Sequence, residues 1–391
     1  MGRYILVFEL FLSSIHAEWI QKADFPGILL KDANAISFGD KGFIFGGIEW
    51  NGNFNNNVWM YNLSENIWVQ KSNLPIALND SYIYNMPKFF NNSSYIYSMR
   101  NNNIYRYNYN EDIWDLINSS YPGVYEAMMP QTIFSTNNYL YAGYGWYDCG
   151  TPYYPSSCEQ EELFRYNYSL NSWEEIASIE IFEFGNGNHF TFDGQNTLIW
   201  NGWHNQLDST KIYKYQYQTN TIELISTLPY SLNGYLGYSR IFYHQNNLHI
   251  LGGMEIDGDL VGDTSHYVFS FVDSSWYQRV SLQSTNFDYP GRANPVSFII
   301  ENNILCGLGM GSGDYYNNYD LHNDFWQLNL DNLVGDLNFD GEVSISDAIL
   351  IIMDIIGNSD LLEEQLIIAD IDHNQIINIF DAVLIIDIIN N

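Results

Sequence analysis

The chain has 391 residues, room for one large domain and one small one, and 46% of them are hydrophobic, enough for a full core. Aromatic residues make up 17%, with 32 Tyr among them, a composition that suits strands better than helices. With 46 acidic against 14 basic residues the net charge is −32, which argues against nucleic acid as a partner, because phosphate binding needs basic stripes.

Taken in order, the first stretch is "MGRYILVFELFLSSIHA". Arg3 supplies a charged start, an apolar run follows, and Ala17 is a small residue at a cleavage position. Residues 1–17 therefore read as a secretory signal peptide, and the mature chain is expected outside the cell or in a surface assembly. No other run is long and apolar enough to span a bilayer. Three cysteines give no disulfide framework. Cys149 and Cys158 flank the loop "CGTPYYPSSC", and sequence leaves open whether they are bonded. Cys306 lies in an apolar strand and reads as an inert core thiol.

The stretch 43–68, "FIFGGIEWNGNFNNNVWMYNLSENIW", ends a strand in Gly46–Gly47, crosses a polar loop, enters a strand with Trp59 and Tyr61, turns, and reaches Trp68. The second half recurs as "VWMYNLSENIW" (58–68), "IYRYNYNEDIW" (104–114), "LFRYNYSLNSW" (163–173) and "IYKYQYQTNTI" (212–222), and as the shortened "VFSFVDSSW" (268–276). A sixth copy opens at "FWQLNLD" (325–331) and has no following Trp strand. "WIQKADFPG" (19–27) matches "WVQKSNLP" (68–75), so the N-terminal strand is expected to complete the last repeat and remove the exposed edges. Glycine ends recur at Gly46–Gly47, Gly143, Gly202, Gly252–Gly253 and Gly307, while repeat two has "YIYSMR" there. The aromatics are expected to pack between neighbouring sheets.

Double glycine, then a spaced aromatic pair, then Trp, resembles the kelch repeat over about residues 18–330. The resemblance implies a mainly β fold, a six-bladed kelch-like β-propeller closed by the N-terminal strand. In such blades the second-to-third connections share one face. Here they carry Glu49, Trp50, Trp146, Tyr147, Asp148, Trp203, His204 and Tyr315, which are the candidate ligand residues. Flat aromatics among Asn, Asp and Gly suit a carbohydrate or a protein surface equally, and suit as well loops that only pack on themselves. For catalysis, Glu49, Asp148, His204 and Glu255 are available, but no spacing brings a pair together. The reading favours a binding module; the alternative is a propeller enzyme acting on glycans, a hydrolase or a sugar-modifying enzyme.

Composition changes after about Asn332: residues 331–391 hold 13 acidic residues and no Lys or Arg. "DLNFDGEVSISD" fits the EF-hand calcium loop with Asp336, Asn338, Asp340, Ser344 and Asp347, and Glu342 offers its carbonyl. A second loop supplies Asp370, Asp372, Asn374, Asn378 and Asp381, with Ile376 at the carbonyl position and Gln375 where glycine is expected. Each loop leads into a helix, "DAILIIMDIIGN" and "DAVLIIDIINN", with no helix expected before it. This pair resembles a dockerin over 335–391. The resemblance implies a small all-α domain binding two Ca2+ ions and docking to a cohesin-like scaffold protein, in an assembly concerned with polysaccharide breakdown. Loop positions 10 and 11 are Ile345–Ser346 and Ile379–Phe380, more apolar than the small hydroxyl residues common there, so an apolar partner surface is expected.

Overall fold

Strands of a few residues, separated by Asn- and Gly-rich turns, pair with their sequence neighbours through most of the chain. The computed structural model describes residues 19–75, 88–123, 132–148, 157–176, 188–192, 197–201, 211–228, 239–338 and 343–390. Within these ranges 101, 217, 220, 258, 272–273, 280, 283, 285–290, 314–318, 331–334, 359–360, 362, 373 and 375 are not described. The signal-peptide reading of residues 1–17 and the Cys149 thiol lie outside the described residues. The chain divides into two compact units, one of Ile20–Trp276 and Ser281–Gln327, the other built on Leu328–Asn391.

In the first unit, five four-stranded antiparallel sheets are each continuous in sequence. Blade one runs Asn34–Phe38, Lys41–Phe45, Val58–Asn62, Ile67–Lys71. Blades two, three, four and five begin at Lys88, Thr132, Asn188 and Arg240 in the same up-and-down order. A further sheet is composite: Val296–Ile300, Asn303–Gly307 and Phe325–Asn329 are joined by Ile20–Gln21 as outer strand. Ile20 lies opposite Gln327 and Gln21 opposite Trp326, so the N-terminal strand pairs where the repeat pattern places it. Against the expected six blades, five are thus continuous, and the remaining sheet draws on both ends of the chain with an outer strand of only two residues. Innermost strands neighbour one another in series, from 34–38 through 88–91, 132–135, 188–192, 240–244 and 296–300 and back to 34–38. This is a β-propeller.

A recurring clamp ties blades one, two, three and five to the sheet before. The outer-strand Trp donates its indole N–H backward: Trp68 to the Ala23 carbonyl (2.9 Å), Trp114 to the Ser72 carbonyl (3.3 Å), Trp173 to Asn118 Oδ1 (3.3 Å) and Trp276 to Ser226 Oγ (2.9 Å). In the turn before each of the first three stands a residue at positive φ, Asn66 (54°), Asp112 (56°) or Asn171 (50°). Its side-chain oxygen accepts from the third-strand tyrosine, Tyr61 (2.7 Å), Tyr107 (2.5 Å) or Tyr166 (2.6 Å). Short Asn and Asp side chains tolerate that conformation and bond locally. Ala23, on the N-terminal segment, does for blade one what Ser72 does for blade two, and its N–H also reaches Asn66 (2.8 Å).

Ring contacts fill the space between sheets, as expected. Phe325 of the composite sheet meets Tyr61 (5.0 Å) and Trp68 (4.9 Å) of blade one, Phe45 stacks on Phe89 of blade two (4.4 Å), and Phe134 of blade three meets Tyr215 of blade four (5.5 Å). Such pairs add about 0.5–1.5 kcal/mol each beyond their burial. Gly46 and Gly47 have φ of 62° and 107°, and a Cβ at Gly47 would lie 3.1 Å from those of Leu30 and Ala33. Glycine there permits both the backbone conformation and the close approach.

The second unit contains three helices, Ile345–Ile355, Glu363–Ala369 and Ile379–Asn390. Its core is Leu337, Val343, Ala348, Ile351, Ala369, Ala382 and Ile385. The small Ala348 and Ala382 let the first and third helices pack closely. The middle helix corrects the expectation that no helix precedes the second loop. Among the described residues no helix is long and apolar enough to cross a membrane.

Candidate functional site

On the propeller, the face carrying the second-to-third connections is more ordered than a set of loops. Glu49 closes a two-residue strand, Ile48–Glu49, that pairs with Leu30–Lys31. Its half-buried carboxylate accepts from Asn55 Nδ2 (2.9 Å) and, at longer range, Asn51 Nδ2 (3.4 Å). Its backbone braces the turn through Gly52 and Asn53. Glu49 is thereby a loop organiser, and Trp50, 60% exposed, is held at the tip. Trp146, Tyr147 and Asp148, expected on a loop, instead lie on the strand Tyr139–Asp148, which runs past the blade paired with Ser157–Asn167. The physical reason is that "YGWYD" and "SCEQ" carry on a strand ladder after the irregularity at Gly143–Gly145. Trp203, His204 and Tyr315 lie outside the described residues.

The connections of blade five and of the composite sheet build a sheet of their own, Met254–Asp257, Asp259–Gly262, Met310–Gly313 and Tyr319–Leu321. Nothing in the repeat announces it, because its two hairpins come from separate repeats. Beside it lies a buried polar group. Arg292 and Asp324, each 1% exposed, form an ion pair (2.7 Å), and Asp324 also accepts from Trp326 Nε1 (2.9 Å). His322 has Ser284 Oγ at 3.4 Å and Asp324 Oδ1 at 3.9 Å, both from its Nδ1, while Nε2 faces the Gly291 carbonyl (3.3 Å). A Ser–His–Asp relay needs the serine and the acid on opposite ring nitrogens, so this cluster is not one. Desolvation, aided by Arg292, lowers the His322 pKa to about 4. His249 and His266, which look scattered in sequence, meet inside blade five (2.9 Å). Strand register is the signal that could have found them, since Leu251 pairs with His266.

Arginines embedded among aromatics are structural. Arg106 pairs with Asp115 (3.2 Å) over the Tyr95 ring, and Arg165 with Glu174 (2.8 Å) over the Tyr139 ring. Residues 30–75 match the Kelch motif. That match covers blade one with its preceding strand, and the other blades of the propeller repeat the same strand order. A comparison with curated proteins gives no match.

In the C-terminal unit the two loops repeat one design. Ser344 caps the first helix, accepting from Ser346 N–H (3.2 Å), while Asp347 Oδ2 accepts from Ser344 N–H (2.8 Å). Asn378 and Asp381 do the same for the third helix, with Phe380 N–H at 2.9 Å and Asn378 N–H at 2.9 Å. The other oxygen of each acid accepts from the start of its loop, Asn338 N–H (3.0 Å) or Ile371 N–H (3.0 Å). Asp347 and Asp381 are fully buried.

Carboxylate oxygens of Asp370, Asp372 and Asp381 lie within 4.8 Å of one another. Two oxygens each about 2.4 Å from one ion are at most about 4.8 Å apart, so this spacing fits a shared calcium ion. Asn374 N–H binds Asp370 (2.9 Å) and Asp372 (3.2 Å), Ile376 N–H binds Asn374 Oδ1 (2.8 Å), and Asn378 Nδ2 binds the Ile376 carbonyl (2.9 Å). In loop one Asp336 is buried at 1% exposure, while Asp340 and Glu342 lie outside the described residues. On the helices Ile345, Ile349, Ile379, Phe380 and Val383 are exposed, Phe380 at 68%.

Proposed function

We propose that this is a secreted binding protein, a kelch propeller carried on a calcium-loaded, dockerin-like tether. Kelch propellers commonly serve as protein-binding modules and mediate protein interactions. In this reading residues 1–17 are the export signal, 18–330 the propeller and 331–391 the tether. The observation that carries the tether is the convergence of Asp370, Asp372 and Asp381. Three carboxylates this close repel one another unless a cation sits among them. Asp336, Asn338, Asp340, Glu342, Ser344 and Asp347 hold a second ion, and Asp370, Asp372, Asn374, Ile376, Asn378 and Asp381 the first. The ion neutralises the acids and fixes the loop, and Asp347 and Asp381 fix the helix starts.

The exposed apolar residues of the first and third helices supply the surface for a cohesin-like scaffold. The propeller face with Trp50 takes a protein or carbohydrate ligand. An enzyme acting on glycans finds no support in Glu49, whose carboxylate is engaged by two side-chain amides. The test is calorimetry of the full chain with calcium, followed by capture on a panel of immobilised cohesins. Two calcium ions bound, with capture lost in Phe380→Asp, is the expected result. Fewer than one ion per chain refutes the tether.

A further inference from the structure

The seven lysines and seven arginines of this acidic chain are scarce enough that two meeting at one place call for an account. Lys88 opens the innermost strand of blade two, and Arg240 that of blade five. Both therefore stand where the innermost strands begin, at the mouth of the channel that the innermost strands enclose. Arg240 spans that mouth: Nε donates to the Pro295 carbonyl (2.9 Å), before the composite sheet, and Nη2 to the Ala33 carbonyl (3.3 Å), before blade one. Its guanidinium is thus fixed by the backbones of two other sheets.

Lys88 is different. Its side chain keeps solvent exposure although protein surrounds it, and among the described residues its ammonium makes no hydrogen bond or ion pair. Desolvation, and then the charge of Arg240, lower its pKa, while Asp32 acts in the opposite sense. Asp32 itself receives a hydrogen bond from Asn294 Nδ2 and offsets part of the charge on Arg240. Among the described residues, these two cations and one anion leave a single positive charge, on an ammonium that faces water. Structural lysines on this protein look otherwise: Lys41 lies against Asp40 and Lys71 near Asp112.

We propose that Lys88 binds the carboxylate of a ligand that caps the propeller channel. One net positive charge matches a monoanionic carboxylate better than a dianionic phosphate, which the net charge of −32 would also repel more strongly. The carboxylate belongs either to an acidic sugar or to an acidic side chain of a protein. This rests on the reading that the propeller face takes a ligand, and names the chemistry that the ligand presents.

The full chain, its lysines reductively methylated with carbon-13, is titrated with galacturonate, with an aspartate-containing peptide, with galactose and with inorganic phosphate. The Lys88 resonance is identified by its loss in Lys88→Arg. The expected result is a saturable shift of that resonance with at least one carboxylate, absent with galactose and weaker with phosphate. The tighter carboxylate tells sugar from protein. By calorimetry that probe should bind roughly ten- to hundredfold more weakly to Lys88→Met and near wild-type strength to Lys88→Arg, at unchanged melting temperature. No saturable shift with either carboxylate, or equal affinity in Lys88→Met, overturns the proposal. A propeller partner that binds Lys88→Met as well as wild type leaves the binding-module reading intact and removes only this inference.

Discussion

In the propeller, ring packs on ring between blades, with Phe45 on Phe89 and Phe325 between Tyr61 and Trp68. In the C-terminal unit, alanines and isoleucines make a thin core and the loops gather carboxylates. One region holds itself by apolar burial, which needs no cofactor. The other has too small a core for its charge, and its folding is expected to include the free energy of metal binding. On the proposed reading, calcium is expected to matter for the stability of the C-terminal unit and not for that of the propeller.

The sharpest way to break that contrast is chelation of the full chain. Excess chelator should abolish the helical circular dichroism of the C-terminal unit and leave the near-ultraviolet aromatic signal unchanged. Persistent helix in chelator would place both regions in the same class. Next in size is Phe325→Ala, which empties a fully buried site between the composite sheet and blade one. It should cost the propeller about 3–5 kcal/mol in urea unfolding and leave calcium binding untouched.

Acid should act on the propeller through His322. Its folded pKa of about 4 lies below the ordinary histidine value of 6.5, so the unfolded chain takes up the proton first. The neutral ring is free of penalty above pH ~6.5, and stability falls as pH drops from there towards 4, by on the order of 3 kcal/mol. His322→Gln should flatten the dependence of the propeller melting temperature on pH over that window; an unchanged slope would show that the burial of His322 does not matter. The smallest effect is expected of Trp68→Phe. It keeps the ring between Phe25 and Phe325 but removes the bond to the Ala23 carbonyl. A loss of about 1 kcal/mol, matched by earlier proteolysis of the N-terminal strand, would mark that bond as part of ring closure.

Much of this was legible in sequence because it is local. The turn residues Asn66, Asp112 and Asn171 sit five positions after Tyr61, Tyr107 and Tyr166, so each of the first three repeats carries its own clamp in one short stretch. The likeness of 19–27 to 68–75 placed the N-terminal strand, since a repeat unit dictates its own partner. The convergence of Asp370, Asp372 and Asp381 was equally open to sequence, because the three lie close together in the chain. What sequence alone did not determine is whatever two distant repeats build together. The sheet joining 254–262 to 310–321, the His249–His266 contact, and the reach of Arg240 to the Pro295 and Ala33 carbonyls depend on where the ring brings its members. Local pattern sets which strands form and how they pair; only closure of the ring sets which side chains face each other across it.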